Sequence, residues 1–285
     1  MVQWRSERRS TNVEDRRGMT PRIGTPLKIG GGVGGVVILV IVLLLGGDPG
    51  ALIEETGAGA GAPGGTAPAP PADDESAQFV SAMLASTEDV WGALFQRSGT
   101  TYREPSLVLY QDAVESACGF STAATGPFYC PGDERVYIDL GFFRELARLG
   151  GPGDFAAAYV IGHEVGHHVQ KLTGIEDRVR RRQSASRSQA DVNALQVRME
   201  LQADCFAGVW AYHADQTRGI LEPGDVEEGL AAAAAIGDDR LQRNAGRRVS
   251  PESFTHGSSA ERQRWLSRGL EGGDPDRCDT FGEAS

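Results

Sequence analysis

The sequence predicts an α+β fold, mainly helical with a small β-sheet and preceded by one transmembrane helix. Three observations carry this reading. Residues Phe79, Val80, Met83, Leu84, Thr87, Val90, Trp91, Leu94 and Phe95 recur at helical intervals, and comparable stretches follow downstream. Two short segments, Leu107-Val108-Leu109-Tyr110 and Arg135-Val136-Tyr137-Ile138-Asp139, set β-branched and aromatic residues between turn signals. Nineteen residues, Ile29 to Gly47, carry no charge. Long helices with one small sheet segregate as α+β.

Taken in order, residues 1–28 hold seven Arg or Lys against three acids. The run Ile29 to Gly47 is about the length that crosses a bilayer core as a helix. It lacks the polar face of an amphipathic core helix. A cleaved signal peptide would need a small-residue site close behind, and Gly46-Gly47-Asp48-Pro49-Gly50 offers none. Positive flanks stay inside, so the expectation is a single-pass protein. Residues 1–28 form a cytoplasmic basic tail, 29–47 the span in the lipid bilayer, and the bulk of the chain is extracytoplasmic. Residues 48–75 are rich in Gly, Ala and Pro and are expected as a disordered tether. The folded domain is then 76–285. With a net charge of −11 over 285 residues and a basic tail, that domain is strongly acidic, which excludes nucleic acid as a partner.

Within the domain the first helix runs from about Ser76 to Gly99. Gly119, Gly126, Pro127, Pro131 and Gly132 place turns between the two strands. Helix returns after Asp139, and Gly151-Pro152-Gly153 breaks it. Asp154 is the expected N-cap of a helix over Phe155–Leu172. Residues 176–190 carry Arg178, Arg180, Arg181, Arg182 and Arg187 among Ser and Gln, and read as a solvated connector. A helix from Gln189 to Ala214 follows, then an alanine-rich helix from Val226 to Ile236. Asp238 and Asp239 read as its solvated end. A last helix, Ala260 to Leu270, offers Trp265 and Leu266 to the core.

The chemistry lies in His163-Glu164-Val165-Gly166-His167. Four residues is just over one helical turn, so His163 and His167 stack on one face and can hold one Zn²⁺. Glu164 beside them is placed to take a proton from water that the metal activates. Apolar flanks suggest a buried helix, where two histidines and a glutamate are costly unless paired or metal-bound. His168 lies about 100° further round the helix and is expected in a supporting or surface role. A third ligand is needed, and Glu200 is the candidate. Asp204, one turn on, could accept the free ring N–H of a zinc-bound histidine and fix its tautomer. The alternative for Glu200 and Asp204 is an exposed acidic stripe.

HEVGHHVQ followed by ELQADCFAGVW resembles the bacterial family of putative neutral zinc metallopeptidases. Ser10 to Gly18, Gly126 to Pro131 and Ser253 to Ala260 match it as well, so the resemblance runs along nearly the whole chain. It implies a zincin-like metalloprotease domain, a zinc cofactor and a protein or peptide substrate. By analogy with HExxH enzymes whose third ligand is a downstream glutamate, His163, His167 and Glu200 map to ligands and Glu164 to the catalytic base.

His256, in a short loop before the last helix, is the candidate to stabilise an oxyanion, against a plain surface histidine. Tyr137 and Tyr212 are weaker candidates. An extended substrate could pair with an edge strand, with Val136–Asp139 as the candidate. Four cysteines permit three pairings. Cys118–Cys130, closing a short loop, and Cys205–Cys278, pinning the tail to the Glu200 helix, are the expected disulfides of an exported domain. Two other classes remain open: a membrane-tethered binding module that no longer cleaves, and an envelope protein in which zinc only staples helices.

Overall fold

A computed structural model describes residues 1–19 and 68–282. Helix α1, Glu75–Arg97, starts where the Asp74 side chain accepts the Ala77 amide, and it buries Phe79, Val80, Met83, Leu84, Val90 and Trp91. It is the expected first helix. Beyond it the sheet forms from both expected strands, here β2 (Ser106–Tyr110) and β6 (Arg135–Asp139). They pair in parallel, with Leu107 opposite Val136 and Leu109 opposite Ile138. Both strands are apolar on both faces, as strands covered on two sides must be.

Two further strands complete this sheet in the order β1-β2-β6-β5. β5, Phe128–Cys130, runs antiparallel to β6 and forms one edge. β1, Val13–Asp15, runs parallel to β2 and forms the other. β6 is therefore central and not an edge strand: β2 pairs along its whole length, and β5 covers its other side over Arg135–Tyr137. A separate hairpin, β3 (Ala113–Ser116) with β4 (Gly119–Thr122), rises from the β2–β5 connection. Cys118–Cys130 staples that hairpin to β5, and Cys205–Cys278 ties the C-terminal tail to the body, so both expected disulfides are present.

The first nineteen residues correct the expected domain boundaries. They form an arm built into the domain, not a separate tail. Trp4 is buried and meets Phe79 edge-to-face at 5.7 Å between centroids. Gln3 donates its amide to the Ile220 carbonyl at 2.9 Å and Ser10 to the Ser81 carbonyl at 3.1 Å. The buried Glu88 carboxylate of α1 accepts from Ser10 Oγ at 2.6 Å and from Asn12 Nδ2 at 2.9 Å. A buried carboxylate needs such donors, so the arm and α1 hold one another. Among the described residues no helix is long and apolar enough to cross a membrane. The expected span at 29–47 and most of the expected tether lie outside them.

Helix α2, Gly141–Leu149, ends at Gly150, whose φ of 99° is left-handed. Helix α3, Asp154–Leu172, carries the HExxH sequence. Its N-cap is Gly153 and not Asp154; Asp154 is the first helical residue, and its carboxylate accepts the Val2 amide of the arm at 2.9 Å. Residues 176–190 are not a plain connector. Helix α4, Ile175–Ala185, occupies most of them, burying Glu176, Val179 and Gln183 while its arginines face outward. Helix α5, Gln189–Arg218, is capped by Ser188 and runs four residues past the expected end to Gly219. Helices α6 (Asp225–Ala235), α7 (Asp238–Asn244) and α8 (Ser259–Leu270) close the fold. Ser258 and Glu261 form a capping box at the start of α8. Leu266 is buried as expected, and Trp265 is partly buried at the core margin.

Candidate metal centre

Helices α3 and α5 meet at backbone distance because α3 has no side chain where they cross. A Cβ at Gly162 would stand 2.7 Å from the Trp210 ring, and one at Gly166 would stand 3.0 Å from the Ala203 carbonyl. Gly162 lies one residue before His163 and Gly166 one before His167, so the close approach that requires them also brings both histidines to Glu200. His163 Nε2 is 3.2 Å from Glu200 Oε2, and His167 Nε2 is 3.5 Å from the same oxygen. The three ligand atoms lie within 4.8 Å of one another. The sequence-predicted triad is thus assembled in space from one residue pair on α3 and one residue on α5.

The far side of each ring is engaged. His163 Nδ1 meets Asp204 Oδ1 at 2.8 Å, and His167 Nδ1 meets Gln170 Oε1 at 2.9 Å. Both partners accept hydrogen bonds, so each ring donates from Nδ1 and Nε2 is the nitrogen that faces the triad, available to a metal once its own proton has left. Gln170 is fixed in turn by donating to the Met199 carbonyl at 2.8 Å. Glu200 Oε1 accepts from Gln196 Nε2 at 2.8 Å, leaving Oε2 to face the histidines. The donor set is two imidazole nitrogens and one carboxylate oxygen, the set that suits Zn²⁺ with a coordination position left open. Asp154, Asp225 and Glu228 form a second three-carboxylate cluster, but it has no nitrogen donor and already accepts the Val2 and Phe155 amides.

The electrostatics favour a cation at the triad. Burial works against charge on His167, but Glu200 outweighs it and raises the imidazole to about 9. Burial likewise opposes charge on His163, and the Asp204 and Glu200 carboxylates leave it raised. Glu200 resists burial too, held well below the usual carboxylate range by His167 and His163. Positive charge is thus stabilised on the two rings around one carboxylate, and a dication held there supplies it more fully.

Asp204 does more than face His163. It accepts Tyr159 Oη at 2.6 Å and both Arg262 Nε and Nη2 at 2.9 Å. Against the pull of burial, Arg262 and His163 hold its carboxyl down to about 2. The exposed acidic stripe is thereby excluded. Arg262, on α8, and Tyr159, one turn before His163, are parts of the centre that the sequence reading did not name.

Glu164 is 7% exposed, and its carboxylate makes no hydrogen bond among the described residues. Burial pushes its proton affinity up, against the opposing pull of His163 and His167. His256 is brought to the same region. Its Nδ1 lies 3.3 Å from Asp238 Oδ1, and the next residue, Gly257, packs so closely on Leu201 and Val197 of α5 that a Cβ there would stand 3.2 and 3.3 Å from their side chains. Asp238 is no solvated helix end: it is buried and accepts the Thr255, His256 and Gly257 amides at 2.7, 2.6 and 3.0 Å. The remaining candidates lie elsewhere. Tyr137 donates to Asp133 at 2.7 Å and stacks on Phe128. Tyr212 sits edge-on to His213. His168 is fully buried, bonded to Tyr129 Oη at 2.9 Å and the Arg103 carbonyl at 2.6 Å, and ties α3 to β5.

The two helices thus bring together a His-His-Glu triad that could hold a metal ion, with Glu164 beside it. The chain belongs to the putative neutral zinc metallopeptidase family, whose sequence profile matches residues 2–281. It is 50% identical over 291 aligned residues to the uncharacterized protein YpfJ of Escherichia coli (strain K12), covering 99% of this chain and all of that protein. It is 42% identical over 218 residues to the uncharacterized protein Rv2575 of Mycobacterium tuberculosis (strain ATCC 25618 / H37Rv), covering 73% of this chain and 72% of that one. No solved structure matches it.

Proposed function

We propose that this protein is a membrane-anchored zinc metallopeptidase whose general base is Glu164. The observation that carries the reading is Glu164, 7% exposed and with no side-chain partner holding its carboxylate among the described residues, one residue from His163 of the His-His-Glu triad. A carboxylate held by no neighbour is free to meet a water or a substrate group.

His163, His167 and Glu200 would hold the zinc, which when bound acidifies water and polarises a carbonyl. Asp204 and Gln170 keep the ring protons on Nδ1 and so keep both Nε2 atoms available to the metal. Glu164 accepts the proton of the attacking water and later returns it to the leaving amine. His256, oriented by Asp238, donates to the developing oxyanion. The substrate strand is assigned to the free edge of β5, Phe128–Cys130, which His168 joins to the motif helix through Tyr129. The two disulfides support an extracytoplasmic place for the domain. The uncharged run Ile29 to Gly47 supports attachment to a bilayer.

Removing zinc with a chelator is expected to abolish peptide cleavage, and stoichiometric zinc to restore it. Cleavage that persists in metal-free protein would retire the zinc-hydrolase reading. A zinc-loaded protein that cleaves nothing across a broad peptide library would make it a binding module.

A further inference from the structure

We propose that Gln202 is a positioning residue of the metal centre: acting through Gln170, it keeps the His167 ring turned so that Nε2 faces Glu200 and a bound zinc. The proposal rests on the reading of His163, His167 and Glu200 as a metal site. It adds to that site a residue whose side chain hydrogen-bonds to none of the three.

The two histidines are held unequally. His163 Nδ1 meets the Asp204 carboxylate, which offers an acceptor whichever way it turns. His167 Nδ1 meets the side-chain amide of Gln170 at 2.9 Å, and an amide has two unlike ends. Its oxygen accepts from Nδ1 and leaves Nε2 for a metal. Its nitrogen, turned to the same place, would require Nδ1 to accept and would favour the ring with its proton on Nε2, the atom the metal needs. The site therefore depends on whatever fixes which end of Gln170 faces His167.

A buried chain of donors and acceptors fixes it, and that chain has one direction. Gln202 Nε2 donates to the Cys278 carbonyl at 2.9 Å. A backbone carbonyl only accepts, so the Gln202 nitrogen must point there and its oxygen the other way. That oxygen accepts from Gln170 Nε2 at 3.1 Å, and the Met199 carbonyl accepts from the same nitrogen at 2.8 Å. Both hydrogens of the Gln170 amide are thus taken on that side, and its oxygen is left to face His167. Gln170 and Gln202 are both buried, so turning Gln170 over would set its oxygen against two acceptors with no solvent to relieve them. The Met199 carbonyl takes one hydrogen, and Gln202 supplies the second restraint.

The far end of the chain is itself tied down. Cys278 is joined by a disulfide to Cys205, which lies three residues after Gln202 on α5. Just beyond it, Thr280 Oγ1 donates to the Arg198 carbonyl at 2.7 Å. The carbonyl that orients Gln202 is therefore held against α5 by a covalent bond and a hydrogen bond.

The test compares Gln202→Met, which keeps the length of the side chain and removes both polar ends, with Gln170→Met and the double variant, all in the full chain. Zinc affinity is measured by competition with a chelator. Ring protons are followed by proton–nitrogen NMR of the zinc-loaded protein with labelled histidine, and folding by melting of the metal-free form. Gln202→Met is expected to weaken zinc binding about tenfold, the lower end for a residue that supports a ligand from behind. It should also speed solvent exchange of the His167 Nδ1 proton while that of His163, held by Asp204, keeps its wild-type rate. The double variant should bind zinc no more weakly than Gln170→Met alone, because Gln202 acts through Gln170. Gln202→Asn, which keeps the amide but is one methylene shorter, takes the same place in the comparison should Gln202→Met not fold. Wild-type zinc affinity in a folded Gln202 variant, equal loosening of both rings, or losses that add in the double variant would overturn the proposal. A wild-type protein that takes up no zinc would instead overturn the metal reading on which it rests.

Discussion

Glu164→Gln is expected to hold zinc and fold like the wild type while losing at least ~100-fold in peptide hydrolysis, the lower end for a general base. The substitution keeps the shape of the side chain and removes only its ability to accept and return a proton. Glu164 has no hydrogen bond to lose, and the triad of His163, His167 and Glu200 stands on other atoms, so the metal should be undisturbed. Burial raises the proton affinity of this carboxyl, which suits a group that takes a proton from water and later gives it to an amine. The comparison needs steady-state rates on one peptide, zinc content and a melting curve for both proteins. A wild-type rate in the variant would remove Glu164 from the mechanism. A rate lost together with the zinc would make it a structural partner of the metal.

Arg262→Ala is expected to cost about 3–5 kcal/mol of stability, the usual effect of leaving one partner of a buried ion pair alone. Arg262 is 2% exposed and binds Asp204 through Nε and Nη2 and Tyr159 through Nη2. Without it Asp204 remains as a buried charge with only Tyr159 and His163 to meet it. Asp204→Ala should also destabilise, and in addition weaken zinc binding by roughly ten- to a hundredfold, because His163 then loses the acceptor that orients its ring. The double variant should lose less stability than the two single losses together, since the residues share one interaction. Denaturant unfolding of the three variants measures this. A change within about 0.5 kcal/mol in Arg262→Ala would mean that the pair is not the support of the centre described here.

Much of the centre was legible because it is written in helical spacing. His163 and His167 are four apart, as are Glu200 and Asp204, and each pair needs only a helix to share a face. Gln170 has the same kind of signal, three residues after His167, and could have been read as its partner. Arg262 could not. Its role depends on where α8 docks against α5, and no local pattern encodes that approach. Asp238 looked like an exposed acid at a helix end until the loop Thr255–Gly257 was seen to wrap around it. The strands were read where both faces are apolar, in β2 and β6. β5 and the β3–β4 hairpin stay hidden because strands of three and four residues carry too few positions to show a period. The same shortness hid β1, whose neighbouring arginines are paired with acids of the arm and α1. Helix α4 was hidden because only a few of its residues, among them Val179, face inward, so its polar face dominates the sequence.

Zinc K-edge absorption on the purified protein, with metal content measured on the same sample, tests the central claim most directly. The account predicts one zinc per chain bound by two imidazole nitrogens at about 2.0–2.1 Å and carboxylate or water oxygen at about 2.0–2.2 Å, with no sulfur neighbour. Glu200→Ala should lose that zinc. A protein that cleaves peptides without zinc, a site closed by four protein ligands, or full zinc occupancy in Glu200→Ala would contradict it.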